Sequence, residues 1–96
     1  MKTTTDISQA IALAEAGIDF KRCPTIEDLL AVSATPSEGE GIYFSASGGR
    51  WRLRYDNAGG ADRYFEGSEL IDVLVEFTVW KVIHWPNCIH YEQVSQ

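Results

Sequence analysis

The segment SELIDVLVEFTVWKVIHW, Ser68 to Trp85, is the most apolar stretch of the chain, and any core has to be built on it. Its first half carries a helical pattern. Glu69, Asp72 and Glu76 recur at i, i+3, i+7 and share one face, while Leu70, Ile71, Val73, Leu74 and Phe77 cover the rest. Ser68 suits the N-cap, with Glu69 and Asp72 placing negative charge at the helix's positive end. The second half differs. Thr78, Val79, Trp80, Val82 and Ile83 are β-branched or aromatic, a composition that favours a strand. The spacing predicts a helix from Glu69 to about Lys81; the rival reading bends the chain into a sheet after Thr78. Pro86 stops simple continuation, because it lacks an N–H and restricts Trp85. A helix apolar around most of its circumference is sandwiched or meets another chain. Asp72, Glu76 and Lys81 interrupt the run, which excludes a membrane span of roughly 20 apolar residues.

The remaining residues are enough for a core around such a helix but not for cover over the whole of it, which points to a homodimer. Ninety-six residues with 45% apolar side chains make one folded domain, 1–96, with 1–5 read as a loose tail. The net charge of −6 argues against binding to nucleic acid or anionic membrane, since like charges repel. An acidic surface suits a protein partner with a basic surface instead. The charge is uneven. Arg50, Arg52, Arg54 and Arg63 form a basic island within residues 48–65, flanked by two acidic blocks. Lys2 is followed by Thr3, Thr4, Thr5 and Asp6 rather than an apolar leader, so a cytoplasmic location is expected, with Cys23 and Cys88 reduced.

Two short helices precede the basic island. Asp6 with Gln9 has the spacing of a capping box, Ile7, Ala10, Ile11 and Ala14 form an apolar stripe, and Gly17 suits a left-handed stop. Thr25 with Asp28 repeats the capping pattern before Ile26, Leu29, Leu30 and Val32. Ser33 to Gly41 reads as a polar loop. Ile42–Ser47 and Arg50–Asp56 read as a hairpin across Gly48-Gly49. In the return strand Trp51, Leu53 and Tyr55 alternate with Arg50, Arg52 and Arg54. A third strand is expected at Ala61–Glu66 after a turn at 57–60, and a fourth at Cys88–Val94. The fold class is therefore α+β: a three- or four-stranded antiparallel meander sheet packed on one face by two N-terminal helices and one long apolar helix.

No motif specifies a chemistry. His84, Cys88, His90 and Cys23 lack the paired spacing of zinc sites, so no metal and no cofactor is expected. A Cys88–His pair has nothing to mark an oxyanion site. The glycines match no phosphate loop. Two surfaces remain as partner-binding candidates. One is the acidic set Glu27, Asp28, Glu69, Asp72 and Glu76. The other is the arginine face Arg50, Arg52 and Arg54, with Arg63, Tyr43 or Tyr64 nearby. Trp80 and Trp85, at the end of the apolar run, are candidate contacts of a homodimer.

The expected function is a non-enzymatic binding or inhibitor protein whose acidic surface docks on a basic partner, such as a nucleic-acid-handling enzyme or complex. The alternative is a small nucleic-acid- or peptide-binding sheet that uses the arginine face. In general character — short, acidic, aromatic-rich — the chain resembles phage proteins that inhibit host defence enzymes, and immunity proteins that block toxins. That likeness is one of composition; it covers no motif and carries no residue roles.

Overall fold

The computed structural model describes residues 2–57, 60 and 62–91. Two short helices, α1 (Ile7–Ala16) and α2 (Ile26–Ser33), lead into strands β1 (Glu40–Ser47), β2 (Arg50–Asn57) and β3 (Arg63–Gly67). Helix α3 (Leu70–His84) and a 3-10 turn at Pro86–Cys88 follow. The sheet is an antiparallel meander in the order β1-β2-β3. The helices pack on one of its faces: α1 and α2 lean on α3, and α3 lies on β2 and β3.

Local chemistry accounts for the element starts. Asp6 and Thr25 each accept the amide three residues on, and Gln9 and Asp28 reach back to the cap amides, so both capping boxes form. Gly17 ends α1 at φ 116°, a left-handed conformation that an L side chain adopts only under strain. Gly48 and Gly49, at φ 60° and 76°, supply the two positive φ angles of a type I′ hairpin turn.

Helix α3 corrects the sequence reading at both ends. Its N-cap is Glu69, not Ser68, and makes no side-chain capping bond. It runs through the β-branched residues to His84, so the strand reading of its second half does not hold. Packing overrides propensity there. The Thr78 hydroxyl meets that of Ser33 at 2.7 Å, joining α3 to α2, and Ser33 also donates to the Leu29 carbonyl. The rings of Phe77 and Trp80 lie 5.4–5.6 Å from those of Tyr55 and Phe65. These helix positions face the sheet, where each buried apolar side chain contributes about 1.5–3 kcal/mol.

Leu53, Tyr55 and Phe65 supply the sheet's share of the core, and Ile71, Val73, Leu74 and Phe77 that of α3. Trp51, beside the hairpin turn, is only half-buried. Helix α1 is rotated from expectation. Leu13 is its buried residue, whereas Ile7 and Ile11 are 72% and 54% exposed. Burial of Leu13 in the core goes with that rotation, and Gln9 on the same side donates to Asp72 Oδ1 at 2.6 Å. Residues 3–5, expected as a tail, lie against α2: Thr4 bridges Thr25, the Thr5 amide and hydroxyl donate to the Pro24 carbonyl, and Ile26 donates to Thr3. The expected fourth strand is not formed at Cys88–Tyr91: Cys88 ends the 3-10 turn that starts at Pro86, and 89–91 take no regular structure; residues 92–94 lie outside the described residues. The third strand begins at Arg63, and residue 61 of its expected range is likewise outside them.

Candidate interaction surface

Among the described residues, no element covers the face of the sheet turned away from the helices. Strand alternation puts Arg50, Arg52, Arg54 and Asp56 of β2 on it, as the sequence period requires. Register completes the rows. Tyr43 pairs with Arg54, which pairs with Tyr64; Ser45 pairs with Arg52, which pairs with Glu66. The guanidinium of Arg54 sits 4.3 Å from the centre of the Tyr43 ring, and that of Arg52 sits 4.5 Å from the Tyr64 ring. Contacts of this kind are worth about 0.5–1 kcal/mol at exposed sites. They hold long side chains against rigid rings.

The tyrosines are 50% and 46% exposed, so their outer edges remain free. Tyr43 folds back over Gly41. A β-carbon at position 41 would lie 2.7 Å from the ring, so only glycine admits this ring position. A hollow of about 310 Å³ opens between Tyr43, Phe44, Ser45, Arg52, Arg54 and Tyr64.

The arginines are matched by carboxylates. Arg54 donates to Asp62 at 3.1 Å, which raises its pKa further above the ordinary value. Arg52 lies 3.9 Å from Glu66. Three arginines thus share the face with Asp56, Asp62 and Glu66, and the face is close to neutral. Arg63, expected beside them, is on the opposite face, 5.4 Å from the Trp80 ring and 5.8 Å from that of Phe65.

The acidic candidates are more dispersed. Asp28 caps α2 and pairs with Arg22, and that guanidinium holds its carboxyl well below the usual carboxylate range. Glu69 accepts the Lys2 amide, and Asp72 accepts from Lys2 Nζ and Gln9. Glu27 and Glu76 are exposed. Trp80 and Trp85 are half-buried within the chain's own packing, Trp80 stacked on His84 at 4.9 Å. His84 Nδ1 lies 2.9 Å from the Trp80 carbonyl, and His90 Nε2 lies 2.9 Å from Ser37 Oγ. Among the described residues no three His, Cys, Asp or Glu side chains come together as metal ligands, and no helix is long and apolar enough to cross a membrane.

Sequence reasoning missed one cluster beneath the sheet. Lys81, in the middle of the apolar run, is fully buried against the fully buried side chain of Glu40 at 2.9 Å, and donates to the Ser33 carbonyl at 2.7 Å. Glu40 also accepts from the Tyr55 hydroxyl at 2.5 Å and the Ser37 amide at 2.8 Å, and Asn57 donates to Tyr55. Burial alone would raise the Glu40 carboxyl. Hydrogen bonds from Tyr55, Ser37 and Lys81 outweigh it and hold the group below its ordinary value. Burial, then the hydrogen bond to Glu40, pushes the Tyr55 phenol up. Burial and the same carboxylate push up the Cys88 thiol, which disfavours the reactive thiolate. The signal was present in the sequence: Lys81 is the single base of residues 66–96.

Compared with protein-family models, curated proteins and solved structures, the chain matches none.

Proposed function

We propose that the chain is a non-enzymatic binding protein that docks on another protein through the open arginine–tyrosine face of its sheet. The observation that carries this reading is the row Tyr43–Arg54–Tyr64. These are large, pre-positioned side chains of the types that dominate protein interfaces, on a face that none of the described residues covers. The near-neutral balance of that face favours a protein over a phosphate backbone, whose binding draws on a surplus of cations. The surplus of −6 lies elsewhere on the chain and would speed encounter with a basic partner.

The test compares the native chain with Arg54→Ala/Tyr64→Ala in affinity capture from the source cells, read by mass spectrometry, with oligonucleotide binding followed by fluorescence anisotropy. The expected result is a set of polypeptides held by the native chain and weakened by roughly 30-fold or more in the variant, as for a hot-spot residue worth about 2 kcal/mol. Equal capture by both chains would refute the assignment of the face. Oligonucleotide binding that falls steeply with salt would replace the protein partner with nucleic acid.

A further inference from the structure

Among the described residues the sheet has two open edges, and they differ. The β3 edge is short, Arg63–Gly67, and carries the exposed charges of Arg63 and Glu66, which protect an edge from pairing with another chain. The β1 edge has no such protection. From Gly41 to Ser47 it carries no charge and no proline, no helix among the described residues covers it, and Tyr43 to Ser47 are all exposed. Phe44 points to the helix side of the sheet by strand parity, yet is 39% exposed because α3 covers β2 and β3 rather than β1.

The direction of the free hydrogen-bonding groups follows from the turn. A two-residue type I′ turn makes Ser47 and Arg50 a hydrogen-bonded pair, so the odd residues of β1 bond to β2. The even residues, Ile42, Phe44 and Ala46, then direct their N–H and C=O groups to the open edge. The amide of Glu40 agrees with this alternation, since it turns away from β2 and donates to the Ser37 carbonyl.

We infer that the β1 edge pairs antiparallel with the β1 edge of a second copy, with the two-fold axis at Phe44. The charge-free segment Gly41–Ser47 is centred on that residue. This register sets Phe44 against its own copy, Tyr43 against Ser45, Ile42 against Ala46 and Gly41 against Ser47. Every even residue exchanges backbone bonds with the other chain. On the helix side, Phe44, Ile42 and Ala46 meet the same apolar set, and no like charges face each other. The product is a continuous six-stranded sheet that carries two arginine–tyrosine faces side by side. The pairing stands on the edge alone and does not depend on the partner-binding role of that face. A contact ribbon about 24 Å long is at the small end of interfaces, so the dimer forms at micromolar rather than nanomolar concentration.

Sedimentation equilibrium of the native chain across the micromolar range, with Phe44→Lys, Phe44→Glu and their equimolar mixture, tests the pairing. The native chain is expected to reach dimer mass, each variant alone to stay monomeric, and the mixture to recover the dimer. Recovery requires folded chains and so separates lost pairing from lost folding. Phe44→Cys is expected to give a covalent dimer on mild oxidation, because hydrogen-bonded antiparallel partners lie about 5.5 Å apart, within disulfide range. Ala46→Cys, offset from its own copy in this register, is expected to give none. A native chain of monomer mass throughout would overturn the inference. So would a dimer indifferent to charge at position 44, which would move the contact to another surface such as that of Trp80 and Trp85.

Discussion

Replacing Lys81 with methionine tests whether the buried ion pair stabilises the fold as its geometry requires. Methionine keeps most of the stem volume and removes the ammonium. Glu40 then keeps the Tyr55 hydroxyl and the Ser37 amide but loses its counter-ion, and the Ser33 carbonyl loses its donor from Lys81 Nζ. Breaking a buried pair from one side costs about 3–5 kcal/mol. At about 4–8 °C per kcal/mol for a domain of this size, the melting temperature should fall by roughly 12–40 °C. Urea unfolding followed by tryptophan fluorescence at pH 7 gives the free energy directly. A second measurement separates charge from packing. Without Lys81, the Glu40 carboxylate keeps its hydrogen bonds from Tyr55 and Ser37 but loses its counter-ion, so its pKa rises above that of the native chain and protonating it relieves the variant. The gap between variant and native chain should therefore narrow as the pH falls below about 4.3. In a Glu40→Gln background, where no proton can be gained at that site, the effect of Lys81→Met should not change with pH over this range. A loss below about 1 kcal/mol for Lys81→Met would refute the reasoning, because that is the range of pairs reached by water.

Two further outcomes follow from burial and charge. Ile11→Lys, on the exposed side of α1, should change stability by no more than about 0.5 kcal/mol, whereas Leu13→Ala, two residues on, should cost about 2–5 kcal/mol; paired thermal melts check the rotation of the helix. The carboxyls of Glu40 and Asp28 are depressed in the folded chain, so the unfolded chain binds more protons at mildly acidic pH; stability should be full above about pH 5 and decline as the pH falls through their ordinary values toward their folded ones, as a pH series of urea midpoints would show.

Period-two alternation at Arg50–Asp56 was fully legible, because a half-buried strand admits only one assignment of faces. The capping boxes at Asp6 and Thr25 and the Gly48-Gly49 turn were legible for the same local reason. The face of α1 was not. Ile7, Ala10, Ile11 and Ala14 satisfy helical periodicity, yet the contact with α3, far away in sequence, buries Leu13 and leaves Ile7 and Ile11 outside. Glu40 looked like part of a polar loop, since its role depends on a lysine 41 residues later. On the sheet face, β2 alone disclosed the arginines. Their stacking on Tyr43 and Tyr64 required the register of both neighbours, which no single strand encodes.

The dependence of α1 and α2 on α3 sets an order of events during synthesis. Helices of ten and eight residues are too short to persist alone in water. Their buried residues, Leu13, Leu29 and Val32, pack in a structure where both helices lean on residues 70–84, so they emerge before the surface that holds them exists. From the end of α2 to Lys81 the ribosome adds 48 residues, roughly 2–10 s at ordinary elongation rates. The β1–β2 hairpin needs no such delay, since its contacts are local and hairpins close in about 1–10 µs. The hairpin contacts are thus the first pairing open to the nascent chain, though the sheet too gains its packing only with α3. Its N-terminal third stays unstructured until α3 arrives to join the two halves.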